Sequence, residues 1–81
     1  MREKTPKLVI SFKSATDAMA LENVASPGLG RIIPLPAKIS AGCGLAFCAD
    51  PLTESKILAV MEYHGINYNA IHIIPMYQSQ P

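Results

Sequence analysis

A single thiol stands between two glycines in the segment Ser40-Ala41-Gly42-Cys43-Gly44. Cysteine reacts as the thiolate, and the glycines keep side-chain bulk away from the sulfur. Glycines also permit backbone angles that direct successive N–H groups toward an anion. The segment therefore predicts a reactive Cys43 in an anion-stabilising loop with Ser40, Gly42 and Gly44. The alternative interpretation is that Cys43 is a small apolar packing residue and that the glycines mark only a turn.

The second cysteine, Cys48, follows five residues later. On one extended segment the two would lie about 16 Å apart, whereas a disulfide requires Cα atoms within about 7 Å. Two cysteines without a CxxC pair do not indicate a disulfide scaffold, so we expect reduced thiols. Two cysteines and two scattered histidines do not provide the four convergent ligands of a closed zinc site. We expect neither a metal nor a cofactor.

Four strands and two helices are predicted around this loop. The first helix starts at Ser14, a capping residue with Asp17 three positions later, and ends at Pro27-Gly28. Its Met19 is interpreted as core filler. The strands are expected at residues 7–12, 31–35, 45–48 and 68–75.

The second helix is expected to start at Asp50-Pro51 and to end at Gly65. Four apolar residues would form its buried face: Leu52, Ile57, Leu58 and Met61.

The predicted element order, βαββαβ, is that of an α+β, ferredoxin-like sandwich. Such a fold has an antiparallel four-stranded sheet in the order 4-1-3-2 with two helices on one face. Proline cannot donate to a strand ladder and therefore favours edge strands. Pro34 and Pro75 fall in the second and fourth strands, which are the edges in this order, and the inner pair is expected to hold no proline.

This topology places Cys43 at one end of the sheet with Lys13, Ser14 and His64. The N-terminus of the first helix offers unpaired N–H groups and partial positive charge to a thiolate or oxyanion. Lys13 and Lys38 would add positive charge. His64, near a helix C-terminus, would cap the helix carbonyls or pair with the thiolate.

Cys48 is expected at the opposite end, as a small sheet residue. Both alternating sets of strand residues are apolar, with Leu8 and Ile10 in one and Val9 in the other. The face without helices should therefore pack on a second copy or on a partner domain. His72 is expected on that open face as a neutral surface histidine.

At 81 residues the chain is expected to form one domain, with a core over residues 7–76 and short flexible termini. A formal charge of +1 provides no basic stripe, so nucleic acid is an improbable partner. No apolar run approaches the roughly 20 residues of a membrane span. No secretory signal is recognised, which predicts a cytoplasmic protein without membrane contact.

Three segments of the chain, residues 9–22, 31–36 and 39–46, together with His64-Gly65-Ile66, resemble a small bacterial domain family described as selenium/sulfur carrier-like. The resemblance extends from about residue 7 to residue 74, and Ser-Ala-Gly-Cys-Gly is its most specific part. It implies that Cys43 holds sulfur or selenium as a persulfide or selenenyl sulfide. The chain lacks the Cys-Pro motif of better-known small sulfur-transfer proteins, and Cys48 is not part of the pattern.

The leading hypothesis is a carrier that takes sulfur or selenium from a donor protein onto Cys43 and passes it to an acceptor protein. Such a protein is a shuttle more than an enzyme. The alternative is a non-catalytic ferredoxin-like module that binds a small ligand or a protein. A metallochaperone is the least favoured hypothesis, because it would need two close thiols.

Overall fold

The computed structural model describes residues 4–26, 28–39 and 44–77. Within them the chain alternates strands and helices in the order expected for an α+β protein. The elements are β1 (Lys4–Ser11), α1 (Ala15–Val24), β2 (Gly30–Pro34), β3 (Leu45–Ala49), a 3-10 turn (Pro51–Thr53), α2 (Glu54–His64) and β4 (Ala70–Tyr77).

The four strands form one antiparallel sheet in the order β2-β3-β1-β4. This confirms the predicted strand order, read from the other edge. β1 pairs with β3 only from Leu8 to Ser11, opposite Ala49 to Ala46, whereas it pairs with β4 along its whole length. β1 therefore extends beyond the end of β3 by several residues.

The prediction that the inner strands lack proline is wrong. β1 starts at Lys4 and includes Pro6, which lies opposite Pro75 of β4. The β1–β3 ladder begins only at Leu8, so Pro6 lies where β1 has no described neighbour on its β3 side. Proline is tolerated there because that side of the strand needs no ladder hydrogen bond.

Two apolar side chains do not lie where the helical pattern predicts. Met19 is 57% exposed and Leu52 is 93% exposed. Leu52 belongs to the 3-10 turn that precedes α2, so the periodicity of an α-helix does not apply to it. Ile57 and Met61 of α2 are buried as expected.

The first core cluster lies on the sheet face that carries Leu8 and Ile10, here called the Leu8 face. It combines strand residues with residues of both helices and of the loops that adjoin them. Its buried members are Leu8, Ile10, Phe12, Ala18, Leu21, Phe47, Ala49, Ile57, Met61 and Ile66. Burial of this apolar surface is the main force that holds the helices on the sheet.

The second, smaller cluster lies on the opposite face, here called the Val9 face. Val9, Ala46 and Ile39 are its buried members, and Leu35 packs against them. Ile39 and Leu35 belong to the connection that follows β2, so the chain itself covers part of the face that was expected to need a partner. A homodimer through this face stays a prediction.

Candidate functional site

The end of the sheet where β1 stops and β3 begins is here called the loop end. Ser11 pairs with Ala46 at this end, and Pro34 pairs with Leu45. The antiparallel ladder therefore brings the connection between β2 and β3 to the same end as the start of α1. Since β4 starts opposite Ser11, the C-terminus of α2 also leads to this end.

Three of the predicted site residues, Ser40, Gly42 and Cys43, lie outside the described residues. The others are described: Gly44, Lys13, Ser14, His64 and Lys38. All of these belong to elements or connections that meet at the loop end.

Backbone hydrogen bonds fix both sides of the cysteine-bearing connection. The Leu35 N–H donates to the Gly44 carbonyl oxygen over 2.9 Å, which continues the β2–β3 pairing by one step. The Ile39 N–H donates to the Pro36 carbonyl oxygen over 2.9 Å in a tight turn. Ile39 is then buried against the Val9 face. The two ends of the connection are thus anchored to the sheet.

Gly44 adopts a left-handed backbone conformation with φ 73°. No described atom lies within 4 Å of the position that a Cβ on Gly44 would take. Glycine is therefore favoured here by conformation and not by crowding, since other L-residues are strained at this φ. Gly44, the residue that follows Cys43 in sequence, therefore turns the backbone without crowding from any described atom.

Ser14 is the N-cap of α1. Its hydroxyl oxygen accepts from the Asp17 N–H over 3.3 Å and its hydroxyl donates to Asp17 Oδ2 over 3.1 Å. This reciprocal pair satisfies one of the unpaired N–H groups of the helix. Lys13 precedes the cap and is exposed at the loop end.

His64 is the last residue of α2 and is exposed. Its ring meets the ring of Tyr63 edge to face, with centroids 5.0 Å apart. Gly65 follows with φ 68° and ends the helix, donating to the carbonyl of Glu62. His64 therefore stands in the last turn, where a cationic side chain is favoured by the helix dipole.

A cavity of about 350 Å³ at the loop end is lined by Lys13, Asp17, Asn67 and Tyr68. Lys13 was among the residues predicted for the site from the sequence, whereas Asn67 and Tyr68 were not. These two residues follow a helix-ending glycine and precede an apolar strand, and that position in a connection is the only signal that could have drawn attention to them.

Cys48 lies at the other end of β3, on the Val9 face. It stands opposite Val9 of β1 and Arg31 of β2, as expected for a sheet residue remote from the loop end. Burial raises the pKa of the Cys48 thiol above its ordinary value, while the nearby charges of Lys7 and Arg31 partly oppose that rise. Cys48 is therefore a protonated thiol at neutral pH.

His72 lies opposite Val9, which places it on the Val9 face as predicted. Its side chain is half-buried, and the Nε2 atom is buried with no hydrogen-bond partner among the described residues. The prediction of a surface histidine is wrong in this respect.

Within residues 4–26, 28–39 and 44–77, no group of three His, Cys, Asp or Glu side chains is placed to share a metal ion. No helix in the same part of the chain is both long and apolar enough to cross a membrane.

The protein is therefore a small α+β protein in which the β2–β3 connection and the start of α1 lie at the same end of the sheet. A family model described as "Putative Se/S carrier protein-like" matches residues 7–73, and the chain belongs to this family. The match covers all of α1, β2, β3 and α2 and includes residues 40–44. Searches of the curated proteins and of the solved structures found no match.

Proposed function

We propose that the protein is a sulfur or selenium carrier that holds its cargo on Cys43. The family match, which includes the Ser-Ala-Gly-Cys-Gly segment, carries this proposal. The protein acts as a shuttle between a donor protein and an acceptor protein, and it needs no cofactor of its own. The cargo is a persulfide in the case of sulfur and a selenenyl sulfide in the case of selenium.

Loading from a donor persulfide needs no external oxidant. The Cys43 thiolate attacks the terminal sulfur of the donor's cysteine persulfide and forms a new S–S bond to it. The donor's S–S bond breaks, and the donor cysteine leaves as a thiolate and takes up a proton. In delivery, a nucleophile of the acceptor attacks the terminal sulfur of Cys43 and releases the Cys43 thiolate.

The loop end offers groups that suit an anionic sulfur. The first turn of α1 presents N–H groups and partial positive charge. The exposed Lys13 and Lys38 add two ammonium groups from the two connections that meet there. Gly44, in its left-handed conformation, leaves the flank of the loop without side-chain bulk. We assign His64 an auxiliary role at the end of α2, where it would pair with the thiolate or cap the helix carbonyls.

We also infer that the fold is ferredoxin-like, with both helices on the Leu8 face. The βαββαβ order and the strand order support this inference. The Leu8-face cluster includes residues of α1 and α2, whereas the described residues of the Val9-face cluster come from strands and from the connection after β2. In this arrangement a donor or acceptor protein reaches the loop end without displacing a helix.

The test is intact-mass measurement of the purified protein after incubation with cysteine and a cysteine desulfurase. We expect an adduct of one sulfur atom that a reducing thiol removes. Cys43→Ser should abolish the adduct, and Cys48→Ser, the matched control, should retain it. For selenium, selenide is added to a mixed disulfide of Cys43 with glutathione, and the expected product is the Cys43 selenenyl sulfide with release of glutathione. Equal loading of Cys43→Ser and the unaltered protein would falsify the proposal.

One observation favours a second candidate function, a small-ligand module. A cavity of about 480 Å³ lies at the opposite end of the sheet from the loop end. The two functions are compatible, because the two regions lie at opposite ends of the same strands.

A further inference from the structure

The cavity of about 480 Å³ lies beside the part of β1 that extends beyond the end of β3. The β1–β3 ladder ends at Leu8 and Ala49, so Lys7 has no partner on β3. The start of β2 and the end of β3 border the same space. Ten residues line it: Lys7, Gly28, Leu29, Gly30, Arg31, Ile33, Cys48, Ala49, Asp50 and Met76.

Two cationic side chains from different strands line this cavity around one thiol. Arg31 lies opposite Cys48 in the β2–β3 ladder, so both side chains are on the Val9 face. Lys7 precedes Val9 by two residues, and the alternation of a strand places it on that face too. The positive charges of Lys7 and Arg31 both act on the Cys48 thiol, which requires both groups to be close to it.

The single carboxylate of the lining has a structural task. Asp50 Oδ1 accepts from the Leu52 N–H over 2.9 Å and thereby caps the 3-10 turn before α2. Cys48 adds no negative charge at neutral pH, since burial keeps its thiol protonated. Among the ten lining residues there are thus two cationic side chains and one carboxylate.

Two glycines keep one wall of the cavity free of side chains. A Cβ on Gly30 would lie 2.5 Å from Phe47 Cε2 and 2.6 Å from the Cys48 carbonyl oxygen, so only glycine fits at this close packing. At Gly28 no described atom lies within 4 Å of an added Cβ. The backbone there borders open space that a ligand can enter.

We propose that this cavity binds a small molecule through a carboxylate or phosphate group held between Lys7 and Arg31. Its volume falls within the range of roughly 300–1,000 Å³ that small-molecule sites occupy. Arginine presents a planar fork to an oxyanion, and lysine supplies a point charge beside it. The site is independent of the proposed loading of Cys43, which takes place at the loop end.

Cys48 provides a built-in reporter for this site. In a Cys43→Ser protein, the only thiol left is alkylated in parallel by anionic iodoacetate and by neutral iodoacetamide. Both reagents react with the same thiolate, so the ratio of their rates cancels the thiolate fraction and reports the local potential. The reference is the same protein unfolded in urea.

We expect the iodoacetate-to-iodoacetamide ratio to be higher in the folded protein than in urea. Lys7→Gln and Arg31→Gln should each lower it about threefold to tenfold, the effect of one unit charge a few ångströms away in a partly solvated site. Lys56→Gln, an exposed lysine on α2, is the matched control and should leave the ratio unchanged. Arg31→Lys keeps the charge and should restore most of the ratio.

Binding of an anion in the cavity is measured by how much the anion slows Cys48 alkylation at constant ionic strength. Malonate supplies carboxylates and inorganic phosphate supplies the other oxyanion, and the one that slows Cys48 alkylation saturably identifies the preferred group. Lys7→Gln should weaken this protection. Cys43 loading, measured in Lys7→Gln with Cys43 intact, should be unchanged, so the two proposals fail separately.

Four results would overturn the anion site. The first is a folded-state ratio equal to that in urea. The second is a Cys48 that neither reagent alkylates, because a closed cavity admits no ligand. The third is the absence of saturable protection by both anions. Protection that persists equally in Lys7→Gln and Arg31→Gln would also contradict it, since the anion would then act without either cation.

Discussion

Asn69 binds Ser11 with both its backbone and its side chain. The Asn69 N–H donates to the Ser11 carbonyl oxygen over 2.7 Å, and Asn69 Nδ2 donates to Ser11 Oγ over 3.2 Å. Ser11 Oγ in turn donates to the Ala70 carbonyl oxygen over 3.3 Å. Ser11 is fully buried, so these bonds satisfy a hydroxyl that has no access to water. These hydrogen bonds hold the start of β4 against the end of β1 at the loop end.

Replacement of Asn69 by alanine should therefore destabilise the protein. Asn69→Ala removes one donor to the buried Ser11 hydroxyl, and the expected loss in the free energy of unfolding is about 1 kcal/mol. Urea denaturation followed by circular dichroism measures it. Asn67→Ala, at an exposed asparagine of the same connection, should change it by less than half as much. Equal losses in the two variants would show that the Asn69–Ser11 bond contributes no specific stability.

Gly30→Ala should destabilise the protein, because the added methyl group would overpack a close contact between β2 and β3. The new Cβ would lie 2.5 Å from Phe47 Cε2 and 2.6 Å from the Cys48 carbonyl oxygen, and a backbone atom cannot yield cheaply. The expected loss in the free energy of unfolding is about 1–3 kcal/mol.

Gly65→Ala is the matched control for this substitution. It meets no described atom within 4 Å, but its φ is 68°. Its cost, about 1–2 kcal/mol, should come from backbone conformation alone. Asparagine tolerates a left-handed conformation, so Gly65→Asn should recover part of the loss, whereas Gly30→Asn should be worse than Gly30→Ala. A Gly30→Asn protein as stable as the unaltered chain would contradict the packing argument.

The strand order could be predicted from the sequence because several local signals agree on it. Ser14 with Asp17 marked the start of α1, and Gly65 marked the end of α2; the structure confirms both. The separation of Leu8 and Ile10 from Val9 followed from strand alternation and is confirmed by the two core clusters. The meeting of the β2–β3 connection with the start of α1 then followed from the antiparallel order.

The extent of β1 and the cavity beside it could not be predicted in the same way. The first strand was expected to begin at residue 7, whereas β1 begins at Lys4 and includes Pro6, which lies opposite Pro75 beyond the end of β3. The approach of Lys7 and Arg31 to Cys48 depends on the register of three strands, which no local pattern specifies. The packing of Ile39 on the Val9 face is likewise a tertiary contact, formed by a connection without periodicity.

The pH dependence of Cys48 alkylation tests the electrostatics of the cavity. Burial raises the pKa of this thiol, so in Cys43→Ser protein the alkylation rate with iodoacetamide should reach half its maximum at a higher pH than in urea. Lys7 and Arg31 lower this pKa, so Lys7→Gln and Arg31→Gln should shift the midpoint higher still.

The same shift predicts a loss of stability at alkaline pH. Because the folded-state pKa is raised, the folded protein holds the proton more firmly than the unfolded chain. Below the pKa of the unfolded thiol, ionisation of Cys48 should not change the free energy of unfolding. As the pH rises from there through the folded-state pKa, the free energy of unfolding should fall. Cys48→Ala should lack this component. A folded-state midpoint at or below the urea midpoint would contradict the burial argument.

Substitutions at Ser14 separate capping from charge at the loop end. Ser14→Ala removes the oxygen that accepts from the Asp17 N–H and should reduce the free energy of unfolding by about 1 kcal/mol. Ser14→Asn retains a capping oxygen and an N–H donor for Asp17 and should be nearly as stable as the unaltered protein. Ser14→Asp retains the capping oxygen but places a carboxylate beside that of Asp17, so it should be less stable than Ser14→Asn. They differ by one negative charge at the N-terminus of α1.

If α1 and Lys13 stabilise an anionic sulfur on Cys43, Ser14→Asp should slow desulfurase loading about twofold to fivefold relative to Ser14→Asn, because a like charge opposes the thiolate. High salt should reduce this difference. Equal loading rates for the two variants would contradict an electrostatic role for the helix terminus, while loading confined to Cys43 would still support the carrier.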